Sequence, residues 1–167
     1  MKDIVYVDEN DNEIGHGSYE KAIQEGIIRR VSRVVVTNHN AQVLVQQRSK
    51  HVAFPLHWND SVSGHVDAGE TYEQAALREM KEEMGIEGVS ISLVDTFYIE
   101  EEGWGIRKSF DTVFHAQFNG EISIDEKEVA DFKWVSMKEL QKWLVQSPDE
   151  FTPGSRESLS LFLEKNT

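Results

Sequence analysis

The chain has 167 residues, with 17 Lys+Arg against 30 Asp+Glu, a formal net charge of −13 and no cysteine. That length suits one compact domain with a real core, and the missing thiols exclude disulfide scaffolds, thiolate zinc sites and cysteine nucleophiles. The negative surface repels nucleic-acid polymers and anionic membranes, and no apolar run approaches the ~20 residues of a membrane span, so a soluble, cytoplasmic protein is expected.

In chain order, Ile4–Val7 reads as a strand and residues 8–12 as the turn after it. Ser18 opens a short helix over 19–23 that stops at Gly26. Residues 31–37, a turn at 38–40 and residues 42–47 predict a β-hairpin. Residues 49–63 read as irregular. Thr71-x-x-Gln74 is a capping box for a helix from Tyr72 to Met84, with Gly85 as its stop. Strands return at 89–99, 110–118 and 132–135, separated by loops at 100–108 and 119–130. Ser136-x-x-Glu139 opens a helix to about Val145, and a loop over 147–154 leads to a last helix at 157–164. Trp58, Trp134 and Trp143 read as packing residues. Strands with interspersed helices make an α/β (α+β) sandwich around a mixed sheet. One domain is expected over 1–167, with residues 1–29 as an N-terminal extension and 30–167 as the core.

The helix over 72–84 carries more carboxylates than a helix tolerates without reason. Glu79, Glu82 and Glu83 stand at i, i+3 and i+4, so like charges share one face near the end where the dipole favours cations. A solvated acidic face is one account of them. The other is an oxygen-rich seat for Mg²⁺ or Mn²⁺, through which an acidic protein could still bind an anionic small molecule.

The spacing around these glutamates decides between the two. Gly64, five residues, Glu70, seven residues, then Arg78-Glu79-Met80-Lys81-Glu82-Glu83-Met84-Gly85-Ile86 matches G-x5-E-x7-R-E-U-x-E-E-x-G-U, the Nudix box, where U is a bulky aliphatic residue. All fixed letters are present, with Met80 at the first U. The chain thus resembles the Nudix hydrolase superfamily. The resemblance implies an α/β/α sandwich in which Glu79, Glu82 and Glu83, with a backbone carbonyl at or just before Gly64, bind a divalent cation, Mg²⁺ or Mn²⁺ as its substitute. It implies that Glu70 pairs with Arg78 to brace the loop, and that the reaction cleaves a diphosphate linkage in a nucleoside diphosphate derivative. Catalytic roles then fall to Glu79 and Glu82 of the box and to Glu128 outside it. Glu79 and Glu128 are the two candidates for the base that accepts a proton from water, Glu128 having an ordinary acidic loop as its other reading.

A second resemblance runs more weakly from about residue 4 to residue 140. Residues 54–65, Phe-Pro-Leu-His-Trp-Asn-Asp-Ser-Val-Ser-Gly-His, together with Gln46-Gln47-Arg48-Ser49 and Glu128-Val129-x-x-Phe132-x-Trp134, are similar to isopentenyl diphosphate isomerases, which share the Nudix fold. Those enzymes use a cysteine where this chain has Ser63, and histidine metal ligands at positions that fall near Ala22 and Arg29. His65 matches one such ligand. The scaffold therefore resembles the isomerases and the site a hydrolase, with the isomerase and a non-catalytic nucleotide-binding module as the alternatives. Candidate substrate-binding residues are His65, for metal, phosphate or loop bracing; Arg48, for phosphate or a surface ion pair; and Trp104, in a glycine-flanked rim loop. The expected partner is a small-molecule diphosphate. The sequence leaves the substrate's identity and the choice between monomer and homodimer open.

Overall fold

Two short antiparallel strands, β1 (Ile4–Val7) and β2 (Glu13–Gly17), precede helix α1 (Tyr19–Glu25), whose first turn is capped by Ser18 and which Gly26 ends in the left-handed region at φ 68°. The computed structural model describes residues 2–166. It continues with β3 (Ile28–Thr37), β4 (Gln42–Arg48), β5 (Trp58–Asn59), β6 (Val62–His65) and helix α2 (Tyr72–Met84). The long hairpin of β7 (Ile91–Glu101) and β8 (Arg107–Gln117) leads to β9 (Val129–Ser136), α3 (Met137–Gln146), a 3₁₀ turn at Pro148–Glu150 and α4 (Pro153–Lys165). No helix among the described residues is long and apolar enough to cross a membrane.

β3 is the axis of the fold. It runs parallel to β8 along its whole length, from Ile28↔Lys108 to Thr37↔Gln117. Its other edge meets β1 near Arg29 and β6 from Val31↔His65 to Val34↔Val62. Successive side chains point to opposite faces, and both faces are covered. Val34 and Val36 pack with Ala76, Met80 and Met84 of α2, whereas Val35 packs with Leu140 of α3 and Leu159 and Phe162 of α4. The result is the expected α/β/α sandwich around a mixed sheet.

Several boundaries differ from expectation, each for a physical reason. The predicted hairpin of β3 and β4 pairs only at Thr37↔Val43, after which β4 turns to β9, from Gln42↔Ser136 to Arg48↔Val129. Ser61 holds the fork open: its Oγ accepts from Val36 N at 2.8 Å and donates to Leu44 O at 2.6 Å, satisfying backbone groups that a continuous ladder would have paired. The stretch expected to be irregular thus supplies β5 and the start of β6. The expected loop at 100–108 shrinks to 102–106, because Glu100↔Lys108 and Glu101↔Arg107 face each other as opposite charges across the hairpin. α4 begins at Pro153, since proline is suited to a first helical position and Thr152 caps it. β2 is the strand that periodicity missed; Glu-Ile-Gly-His-Gly has no apolar alternation and is ordered by pairing with β1.

Candidate active site

The fork between β3 and β4 opens a cavity of about 530 Å³, lined on one side by carboxylates and on another by arginines. α2 delivers the carboxylates. Its capping box forms as predicted, with Gln74 N donating to Thr71 Oγ1 at 3.1 Å and Thr71 N donating to Gln74 Oε1 at 2.9 Å. Met80 and Met84 are fully buried and fix the helix's rotation against the sheet. On that rotation Glu83 lies about 40° round the helix to one side of Glu79, and Glu82 about 60° to the other. Glu79 and Glu83 are therefore buried against the fork, while Glu82 is exposed and meets Arg78 Nη1 at 3.3 Å.

The structure gathers Glu79, Glu83 and Glu128, one carboxylate oxygen of each lying within 4.8 Å of the others. Glu82, which the helix spacing and the box resemblance put with Glu79 and Glu83, lies outside this group, and Glu128 joins it. Glu128 is carried by a turn hung on neighbouring elements. Asp125 N donates to Glu83 O at 3.1 Å, Glu128 N to Asp125 O at 3.0 Å, and Ser49 N to Glu128 O at 2.9 Å. Glu83 Oε1 accepts from Ser63 N at 3.1 Å and from Gln46 Nε2 at 3.2 Å. Gly64 gives the Glu79 carboxyl its seat: a Cβ there would overlap that carboxyl and force it to move.

Burial and mutual repulsion dominate the electrostatics of the trio. Burial pushes Glu79 up to about 7 against the pull of Arg78, and Glu128 and Glu82 push the same way. Burial, with Glu79 and Glu128, holds Glu83 well above the usual carboxylate range. An all-oxygen donor set of three like charges is suited to a hard divalent cation.

Arg78 is the brace beneath this cluster. Its Nε and Nη2 grip Glu70 at 2.8 and 2.9 Å, Nη2 also reaches His65 O at 3.0 Å, and Nη1 reaches Glu79 Oε1 at 2.7 Å. The two box residues expected to pair do so, and the same guanidinium ties the β6 strand to the helix.

Arg48 lines the cavity, its Nε donating to Ala53 O at 2.6 Å while burial lowers its pKa against the pull of Glu83. The ring of His65 lies 4.7 Å from that of Tyr19, and its Nε2 accepts from Arg29 Nε at 3.2 Å. Burial first, then Arg29 and Arg107, push this imidazole well below its ordinary range. It is neutral, with its acceptor nitrogen already engaged. Trp104 is half exposed, 5.8 Å from Phe54, and lines a shallower neighbouring hollow rather than the main cavity. Trp58 packs 5.3 Å from Trp143.

Sequence reasoning missed Tyr19, Arg29 and Arg107 as cavity-lining residues. A faint signal existed for one of them: Arg29, Val31 and Arg33 alternate on one face of a strand otherwise rich in valine.

The NUDIX domain model matches residues 28–160, and the chain belongs to the Nudix family. It is 32% identical over 164 residues to a Nudix hydrolase of Yersinia pestis, covering 96% of this chain and 85% of that one. It is also 32% identical over 153 residues to isopentenyl-diphosphate Delta-isomerase 2 of Photorhabdus laumondii, covering 89% and 85%. Among solved structures, DR0079 of Deinococcus radiodurans superposes with a TM-score of 0.73 at 22% identity, covering 87% of this chain and 90% of that one, a likeness of fold. Family and fold together support a hydrolase acting on pyrophosphate bonds.

Proposed function

We propose that the protein is a Mg²⁺-dependent hydrolase, with Mn²⁺ as a substitute, that cleaves the diphosphate linkage of a small nucleoside diphosphate derivative. The observation that carries this reading is the convergence of Glu79, Glu83 and Glu128 on one point. These three would hold the cation, with the backbone at Gly64 beside them. Such a cation supplies charge neutralisation on phosphate oxygens and acidification of water.

The remaining roles belong to the chain's own side chains. Glu128, exposed at the cavity mouth, would hold the cation through one carboxylate oxygen and accept the proton of the attacking water on the other, because Glu79 is held by Arg78 and seated on Gly64. Arg48 donates to a phosphate oxygen, as a guanidinium can do with two parallel bonds. Glu70 and Arg78 keep the helix and the β6 strand in register, and Glu82 shares the outer side of Arg78. Trp104 and Phe54 flank the entrance, where an apolar or aromatic part of the substrate would lie.

The isomerase named among the relatives sets the second reading. Ser63 stands at its cysteine position and cannot supply a thiol, and Arg29 occupies a place where a histidine ligand would be needed. A panel of nucleoside diphosphate derivatives, nucleotide sugars, triphosphates and isoprenoid diphosphates, followed by product mass, tests the two together. Phosphorus-containing fragments that appear with Mg²⁺ and vanish in Glu83→Gln support the hydrolase. Solvent deuterium entering isopentenyl diphosphate without cleavage would replace it with the isomerase.

A further inference from the structure

Four arginines line the cavity, and the chain treats them differently. Arg33 is paired: its Nε meets Asp111 Oδ2 at 2.6 Å and its Nη1 meets Asp60 Oδ2 at 3.2 Å. Arg29, four residues earlier on the same face of β3, is only 4% exposed, yet no carboxylate among the described residues lies within 4.0 Å of it. Its bonds go to neutral acceptors, His65 Nε2 at 3.2 Å and Lys108 O at 3.3 Å. Its strongest charged neighbour is Arg107, which shares its face of the sheet, while Asp111 and Glu101 act more weakly in the opposite sense. The two guanidinium carbons lie 5.5 and 5.6 Å from the centre of the same Tyr19 ring, and Arg107 also bonds the Tyr19 hydroxyl. Arg107 Nε is buried without a hydrogen-bond partner; Glu101 Oε2, 3.9 Å away, is likewise unpartnered and too distant to satisfy it.

Burying charge is expensive unless it is paired; among the described residues Arg29 has no carboxylate within 4.0 Å, and Arg107 has only Glu101, at 3.9 Å and without a hydrogen bond. Burial and then Arg107 push Arg29 down to about 10, so the strain is felt at that guanidinium. A chain that pairs Arg33 twice on the same strand has the means to pair Arg29 and does not. What relieves such a pair is an anion brought from outside.

We propose that Arg29 and Arg107, each within 5.6 Å of the centre of the Tyr19 ring, form a subsite for a phosphate group that the substrate carries in addition to the diphosphate linkage at the carboxylate trio. Position separates the two places. Glu79 rests on Gly64, which lies opposite Ser32 of β3; the Arg29 backbone is three residues, roughly 10 Å, further along, and its guanidinium bonds His65 and not the carboxylates. Arg48, which feels Glu83 directly, serves the linkage, and the Arg29–Arg107 pair serves a group several bonds beyond it. Two cationic forks match a phosphate dianion better than a single carboxylate. The subsite narrows the substrate class of the hydrolase proposed above to diphosphates bearing a further phosphate, and in that respect it rests on that reading.

The test uses inorganic phosphate as the probe, titrated calorimetrically into the full-length protein in EDTA. Arg107→Gln and Arg29→Gln should each weaken phosphate binding by about tenfold or more, the loss of a charge-assisted contact, while Glu83→Gln keeps it. Arg107 is more exposed than Arg29, so its variant remains informative should Arg29→Gln fold poorly. Wild-type affinity in Arg107→Gln, or loss of phosphate binding in Glu83→Gln, overturns the subsite. The titration involves no cation and no turnover, so its failure leaves the hydrolase standing. Failure of the hydrolase shows instead as unimpaired turnover in Glu83→Gln.

Discussion

Two clusters of charge border the same cavity, around Arg33 and around Glu79, and they are built on opposite principles. Around Arg33, two buried aspartates face one guanidinium; Ser158 bonds Asp60 and Ser109 bonds Asp111, so each charge has partners from within the chain. Burial opposes the Arg33 charge, yet Asp60 and Asp111 hold its pKa above the usual value. Gly154 completes the cluster, since a side chain at the start of α4 would strike the Arg33 guanidinium. Around Glu79, three carboxylates gather with no cation of the chain at their centre, and burial together with mutual repulsion raises the pKa of Glu79 and Glu83. The first cluster is finished by folding. The second needs a positive partner that the chain supplies only in part, through Arg78, and this difference distinguishes a structural charge network from a site.

Substitutions in the two clusters should therefore fail differently. Glu83→Gln is expected to lower turnover by about three to four orders of magnitude, the scale of a lost metal contribution, with a melting temperature no lower than wild type in EDTA, because one repelling charge is gone. Asp111→Asn should do the reverse, removing about 3–5 kcal/mol of stability by leaving Arg33 under-compensated, as read from denaturant unfolding. Glu128→Gln should lower kcat by about 10²- to 10³-fold, in line with loss of a proton acceptor, with thermal stability unchanged. Glu82→Gln should change kcat/KM by less than about tenfold, since its exposed carboxylate meets only Arg78. A loss at Glu82 as large as that at Glu83 would break the contrast and return the site to the helix face alone.

These contrasts also mark what could be read in advance. The box was legible because its demands are local: 3.6-residue periodicity brings Glu79 and Glu83 to one side, a capping box starts the helix, and Gly85 ends it at φ 67°. The pairing of Glu70 with Arg78 was implied by the resemblance to the box family and is present. Glu128 was legible only through family likeness, because it arrives from 45 positions after Glu83 on a turn hung from Glu83's own carbonyl. Sequence spacing gives a face but not its rotation, which Met80 and Met84 set by burial and which leaves Glu82 exposed beside Arg78. The β3–β4 fork depends on one hydroxyl, Ser61, that no periodicity singles out. Arg107 was hidden in a charged stretch that resembles a loop until it is paired, residue against residue, with β7.

The central claim is that Glu79, Glu83 and Glu128 bind a divalent cation together. Calorimetric titration of the metal-free protein with Mg²⁺ tests it most directly, comparing wild type with Glu83→Gln. The account predicts Mg²⁺ binding in wild type that is weakened at least about tenfold in the variant. Equal Mg²⁺ affinity in the two proteins would contradict it.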